Sequence, residues 1–301
     1  MNNKKVNKIL NKIIILLIVL IIGSFIEKEL VNNESIAVNN EVEKIVDSNL
    51  EIYFFDVGQA DSILIKENDY SMLIDAGNNE DGENLVNFLK DELNINKLNI
   101  VVGTHPHEDH IGGLDDIILS FDIDKIYLPN ATTNTKTFED LLSAIEEKNY
   151  KITIPKIDEE FTLGNMNFKV IYIGSDESDL NNTSIVLKLN YGNTSYLFTG
   201  DATSKTEKRI LDKDINVDVL KIGHHGSNYS TTNEFLDKVS PMYAVIEVGE
   251  NNSYSHPSNS TLNKLNERDI KVYRTDKNGT IKLTSDGENI NFETINTEID
   301  G

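Results

Sequence analysis

Asn99-Ile100-Val101-Val102-Gly103-Thr104-His105-Pro106-His107-Glu108-Asp109-His110-Ile111-Gly112-Gly113 carries more chemistry than any other segment of this chain. Asn99–Val102 is a short apolar run that reads as a buried strand. A polar loop follows, and Gly112-Gly113 leads into a helix over Leu114–Phe121. The chain has six histidines, and three of them fall between residues 105 and 110. His105 and His107, two apart in extended backbone, point to the same side. With Asp109 and His110 they make two pairs of imidazole and carboxylate donors, the ligand types of zinc and similar divalent cations, and enough for two adjacent ions.

The other three histidines lie in comparable surroundings. His224-His225 follow the strand expected over Val217–Ile222, and His256-Pro257 follows the one over Ala244–Val248. Asp201 comes after Ser195–Phe198, and Asp75 after Ser71–Ile74. Each of these positions is a strand end next to glycine or proline, where α/β proteins place binding groups. Asp75 or Asp201 alone reads as a turn residue. Their agreement with the histidines gives them weight.

Strands are further expected over Leu50–Val57, Ser62–Lys66, Phe168–Ile173, Ser184–Leu189 and Lys271–Tyr273. A hairpin turns at Tyr191-Gly192-Asn193, and a second covers Thr280–Leu283 and Asn289–Phe292. Helices are expected over Glu83–Leu93, Phe138–Glu147, Thr206–Leu211, Asn233–Val239 and Thr261–Asn266. The order suggests two packed sheets with helices outside.

In 301 residues there are 28 basic and 50 acidic side chains, and the net charge is −22. Such a balance excludes a broad nucleic-acid-binding surface, because phosphate binding rests on Lys and Arg. Lys205, Lys208 and Arg209 form a local basic cluster, which reads as a solvated helix face. The absence of cysteine excludes disulfides, thiolate metal sites and a cysteine nucleophile. At the N-terminus Lys4, Lys5, Lys8 and Lys12 precede the apolar stretch Ile13–Ile26. Its fourteen residues rise about 21 Å as a helix, against roughly 30 Å of bilayer hydrocarbon. Residues 1–28 therefore read as a signal peptide or membrane anchor, 29–49 as a polar linker, and 50–301 as a domain facing outside.

His105-x-His107-x-Asp109-His110, with Asp75-Ala76-Gly77 before it and Thr199-Gly200-Asp201 after it, resembles the metallo-β-lactamase superfamily. More closely, Phe55–Ser62, Asn181–Ser184, Lys221–Ser227 and Tyr254–Pro257 resemble the hydrolase domain of ComEC-type competence proteins. The likeness runs in order from about Leu50 to Leu283. It implies a four-layer αββα sandwich holding two divalent metal ions, zinc first and manganese second. It further implies that His105 and His107 hold one ion, Asp109 and His110 the other, and that Asp201 bridges them. One residue of the 224–225 pair completes the second site, and His224, nearer the strand end, is the expected one. Asp75 would hydrogen-bond a metal-bound imidazole.

Two departures stand out. No histidine lies between residues 110 and 224, where many superfamily members have a further ligand, and Asn182 or Ser184 stands in that region. The sequence also carries a single apolar segment, so it is not expected to form the multi-spanning channel of the competence proteins.

The ligands imply hydrolysis. Two divalent ions activate water and polarise the oxygen under attack. Asp109 would also accept a hydrogen bond from the nucleophile, while His225 and His256 would contact the developing oxyanion or protonate the leaving group. A carboxylate-bridged, cysteine-free site suits phosphodiesters, thioesters or lactones more than β-lactams, and a phosphodiester of DNA or of the cell envelope is the first expectation. A lactone or thioester substrate, and a non-catalytic surface binding protein, are the alternatives.

Overall fold

Strands that alternate apolar side chains to both faces build the layers of this fold. The computed structural model describes residues 49–175 and 178–295, so the basic and apolar N-terminal segment lies outside the described residues. The strands are, in chain order, β1 (Leu50–Phe54), β2 (Ile63–Glu67), β3 (Tyr70–Ile74), β4 (Lys97–Val102), β5 (Asp122–Tyr127), β6 (Ile152–Thr153), β7 (Glu160–Leu163), β8 (Met166–Tyr172), β9 (Val186–Tyr191), β10 (Thr194–Phe198), β11 (Val219–Lys221), β12 (Tyr243–Ile246), β13 (Lys271–Arg274), β14 (Thr280–Ser285) and β15 (Ile290–Ile295). They form one sheet in the order β15-β14-β1-β2-β3-β4-β5-β6 and a second in the order β13-β12-β11-β10-β9-β8-β7.

Ile52 and Phe54 of β1, Ile63 and Ile65 of β2, and Met72 and Ile74 of β3 face the second sheet. There they meet Phe168, Leu187, Leu189, Tyr196 and Phe198. The intervening Tyr53, Leu64 and Leu73 point the other way, under helices carrying Leu85, Leu114, Ile117, Phe138 and Leu141. Across the molecule, Leu197, Leu220, Ala244 and Ile246 lie under helices carrying Ile210, Phe235, Leu236 and Leu265. The result is the four-layer αββα sandwich.

Helix starts follow local capping chemistry. Thr135 accepts a hydrogen bond from Phe138 N, Thr232 from Phe235 N and Ser258 from Thr261 N. Each satisfies a backbone donor that the first turn leaves free.

Three strands were not expected from the sequence. In β5, Asp122, Asp124 and Lys125 break the apolar signal, yet the strand pairs in parallel with β4. β6 and β7 are sheet edges with mostly half-exposed side chains, so little burial marks them. The first strand ends at Phe54, because Phe55–Ser62 loops back between β1 and β2. Among the described residues no helix is long and apolar enough to cross a membrane.

Chain direction positions the site. β3, β4 and β5 run parallel in one sheet, and β10, β11, β12 and β13 do so in the other. The residues singled out above follow the C-terminal ends of β3, β4, β10, β11 and β12.

Phe54 is fully buried between the sheets, its ring 6.5 Å from that of Phe198. Phe54→Ala should cost about 3–5 kcal/mol of stability, read from urea denaturation. A loss under about 1 kcal/mol would mean that this ring does not help hold the sheets together.

Candidate metal centre

β4 ends at Val102, and the chain is caught at once by a carboxylate from the neighbouring strand end. Asp75 Oδ1 accepts from Thr104 N at 2.7 Å, and its Oδ2 accepts from Thr104 Oγ1 at 2.7 Å. The same Oδ2 lies 2.8 Å from His110 Nδ1. Asp75 thus holds the His110 Nδ1–H and leaves Nε2 as the ring's free donor atom. Because the Thr104 hydroxyl proton is given to Asp75, its oxygen is free to accept from His105 Nδ1, 3.2 Å away. His105 Nε2 then faces inward, 3.0 Å from His107 Nδ1.

His107 ends the extended stretch, and Glu108–Ile111 forms one helical turn carrying Asp109 and His110. Backbone bonds fix that turn: Asp61 N donates to Asp109 O, Ala76 N to His110 O, and Gly112 N to Gly77 O. Gly112 packs so closely that an added Cβ would lie 2.2 Å from the backbone of Asn78. Only glycine lets the turn sit there.

Asp201 enters from the second sheet, after β10 and Gly200, and is 1 % exposed. Its two oxygens face different partners. Oδ1 is 3.2 Å from His110 Nε2 and 3.7 Å from His225 Nε2. Oδ2 is 3.9 Å from His105 Nε2 and 3.7 Å from His224 Nε2. Asp109 Oδ2 lies 3.3 Å from His225 Nε2 and 4.0 Å from His110 Nε2.

His224 and His225 both have left-handed backbone, with φ of 51° and 49°. This conformation is strained for residues with a Cβ, and it splays the two rings to centroids 6.3 Å apart. Adjacent in sequence, they therefore reach opposite oxygens of one carboxylate. The sequence reading put His224 with Asp109 and His110. The structure gathers His225 with Asp109, His110 and Asp201, their donor atoms within 4.8 Å of one another. His224 stands instead on the side of His105 and His107.

Ser184 and Asn182 shape the site from outside. Ser184 Oγ accepts from Asp201 N at 3.1 Å. The Asn182 amide is committed elsewhere, accepting from Thr203 and Thr206 hydroxyls and donating to Asp179. His256 stands edge-on to His224, with ring centroids 5.7 Å apart. Burial, then the nearby His224 and His225, push its pKa down to about 4. Lys205, Lys208 and Arg209 sit on the helix Ser204–Ile210 and do not line the cavity over the site.

A further layer escaped the sequence reading. His225 Nδ1 lies 3.0 Å from Glu247 O and 3.2 Å from Asp61 Oδ1. Asp61 in turn accepts from Lys221 Nζ at 2.7 Å, and Glu247 Oε2 is 3.7 Å from that nitrogen. Burial would raise the Asp61 carboxyl, but Lys221 and then His225 draw it down to about 2. Asp61 and Lys221 were both visible within motifs, although nothing in a linear sequence tells that they meet.

The site fits divalent cations. His110 Nε2 and Asp201 Oδ1 are buried without a hydrogen-bond partner among the described residues, though only 3.2 Å apart. Two buried polar atoms so close and yet unbonded are what a shared cation would satisfy. Asp61, Asp75, Asp201 and Glu247 are all at most 1 % exposed, and among the described residues Lys221 is the one buried lysine or arginine beside them. Such an excess of buried carboxylate calls for added positive charge.

Because the donors come from both sheets, bound metal should tie the layers together. Chelation with EDTA should lower Tm by about 5–10 °C, as expected for removing a ligand held well above its Kd. Asp61→Asn should weaken metal affinity by about 10–100-fold, the usual cost of disturbing a charged group behind a metal-binding imidazole. An unchanged affinity by calorimetry would show that Asp61 serves only the Lys221 ion pair.

Residues 55–248 match the sequence model of the Metallo-beta-lactamase superfamily. ComE operon protein 3 of Bacillus subtilis is 33 % identical over 62 % of this chain and 25 % of its own length. Competence protein ComA of Neisseria gonorrhoeae is 26 % identical over 82 % of this chain and 34 % of its own. The chain thus spans a quarter to a third of the length of these curated relatives. Among solved structures, the metallo-beta-lactamase fold protein YhfI from Bacillus subtilis superposes with a TM-score of 0.52 at 13 % identity, covering 76 % of this chain and 96 % of that one. Sequence match, layer order and the converging histidines and aspartates agree: the chain belongs to the metallo-beta-lactamase superfamily.

Proposed function

We propose that this chain is a dinuclear metal-dependent phosphodiesterase. The observation that carries the reading is Asp201, whose two oxygens face two separate groups of imidazole nitrogen. His105, His107 and His224 would hold one ion, Asp109, His110 and His225 the other, with Asp201 shared. His224 would stand in for the histidine missing between residues 110 and 224. Divalent ions held there supply Lewis acidity for hydrolysis.

The remaining groups belong to this chain's own chemistry. Asp109 has a side chain 33 % exposed at the cavity, so it can accept a hydrogen bond from an approaching water. His256, with its pKa near 4, meets a leaving oxygen at neutral pH as an uncharged N–H donor. The cavity holds about 340 Å³ and, among the described residues, is lined by no lysine or arginine. One phosphodiester fits that setting better than a long polyanion. The relatives' competence names favour a nucleic-acid ester over a lactone or thioester. In this reading the domain stands outside the cell, secreted or tethered through the basic and apolar N-terminal segment.

Full-length protein purified without chelators should contain about two divalent ions per chain and hydrolyse bis(p-nitrophenyl) phosphate. Elemental analysis should show zinc, with manganese as the second candidate. His110→Ala should lower kcat/KM by about 10³-fold or more. Metal without phosphodiester turnover would overturn the phosphodiesterase reading, and esterase activity in its place would establish the lactone or thioester alternative. No bound metal and no turnover would leave a surface binding protein.

A further inference from the structure

The loop after β12 presents an aromatic ring where the cavity opens. Tyr254 lines that cavity and is 68 % exposed. One face of its ring stacks on His256, with centroids 5.8 Å apart and planes 25° apart, and the chain of rings continues from His256 to His224. A single side chain fixes this loop. Asn252 Oδ1 accepts from Tyr254 N at 3.2 Å and from His256 N at 3.0 Å, while its Nδ2 donates to Gly249 O at 2.9 Å and to His256 O at 2.7 Å. The ring is therefore held in place by the backbone beneath it, while covering none of the core.

We infer that Tyr254 is a stacking platform for an unpaired nucleobase on the ester beside the scissile phosphate. The inference rests on the phosphodiesterase reading and names its substrate class. Among the described residues the cavity has no lysine or arginine to hold a run of phosphates. In a chain of net charge −22, affinity for a nucleotidyl ester must come from uncharged contacts outside the metal centre. Stacking supplies this, since every base has a π face and the contact tolerates any sequence. A base paired within a duplex has both faces covered by its neighbours, so the platform selects unpaired ends and short single strands.

The test uses two substrates with one leaving group, thymidine 5′-(p-nitrophenyl phosphate) and methyl p-nitrophenyl phosphate, on the full metal-loaded chain. The ratio of their kcat/KM values, nucleoside over methyl ester, should fall about tenfold in Tyr254→Ala and return in Tyr254→Phe. An unchanged ratio in Tyr254→Ala, or no recovery in Tyr254→Phe, would overturn the platform. If the parent protein hydrolyses neither ester, the phosphodiesterase reading fails separately. The platform is then judged by calorimetry with the dinucleotide TpT against dimethyl phosphate, where Tyr254→Ala should lower the affinity ratio about tenfold and an unchanged ratio would count against it.

Discussion

Asp201 is the constraint around which the rest of the molecule is arranged. A carboxylate taken fully out of water loses much of its hydration, and burial alone would raise its pKa. Here His110 and then His225 hold it well below the ordinary range. The arrangement requires donors from both sheets to arrive within a few ångströms. It explains why strand ends, a one-turn helix and a strained His-His pair all converge on one rim. The backbone ties around Asp61, Ala76 and Gly112 are the means by which the first sheet delivers its share.

Behind the donors lies a second set of groups that orient them. Asp75 holds His110 through Nδ1, while the Glu247 carbonyl accepts from His225 Nδ1 and the Asp61 carboxylate stands 3.2 Å from the same nitrogen, so that both Nε2 atoms turn inward. The two sets differ in cost. Asp75 is satisfied by neutral donors on Thr104, whereas Asp61 relies on the buried Lys221. A buried ion pair gains little net stability over apolar packing, although losing one partner is costly. Its presence here is best understood through the imidazole it positions.

Much of the fold was legible in the sequence because strands such as β2 and β3 are short, mostly apolar runs buried on both faces. Val101-Val102 before the histidines and Ala244-Val245-Ile246 before His256 likewise announce buried strands. What escaped was polar or peripheral. β5 carries two aspartates and a lysine, and β7 lies at an edge where neither face is deeply covered. At the site, residue identity and strand-end position singled out the histidines, Asp75, Asp109 and Asp201. The separate directions of His224 and His225 could not be read from adjacency, since they depend on two left-handed residues in succession. The Asp61–Lys221–Glu247 group was hidden for another reason: its members are 160 and 26 positions apart and meet only when both sheets are in place.

The pairing of β1 with β14 carries a consequence for how such a chain is made. Leu50–Phe54 takes Ile281–Ser285 as its antiparallel neighbour, so one edge of the earliest strand stays bare until the last strands have been synthesised. Contacts of such span are slow to form and leave apolar surface uncovered meanwhile. Among the described residues, this edge of β1 therefore closes only once residues 281–285 can reach it.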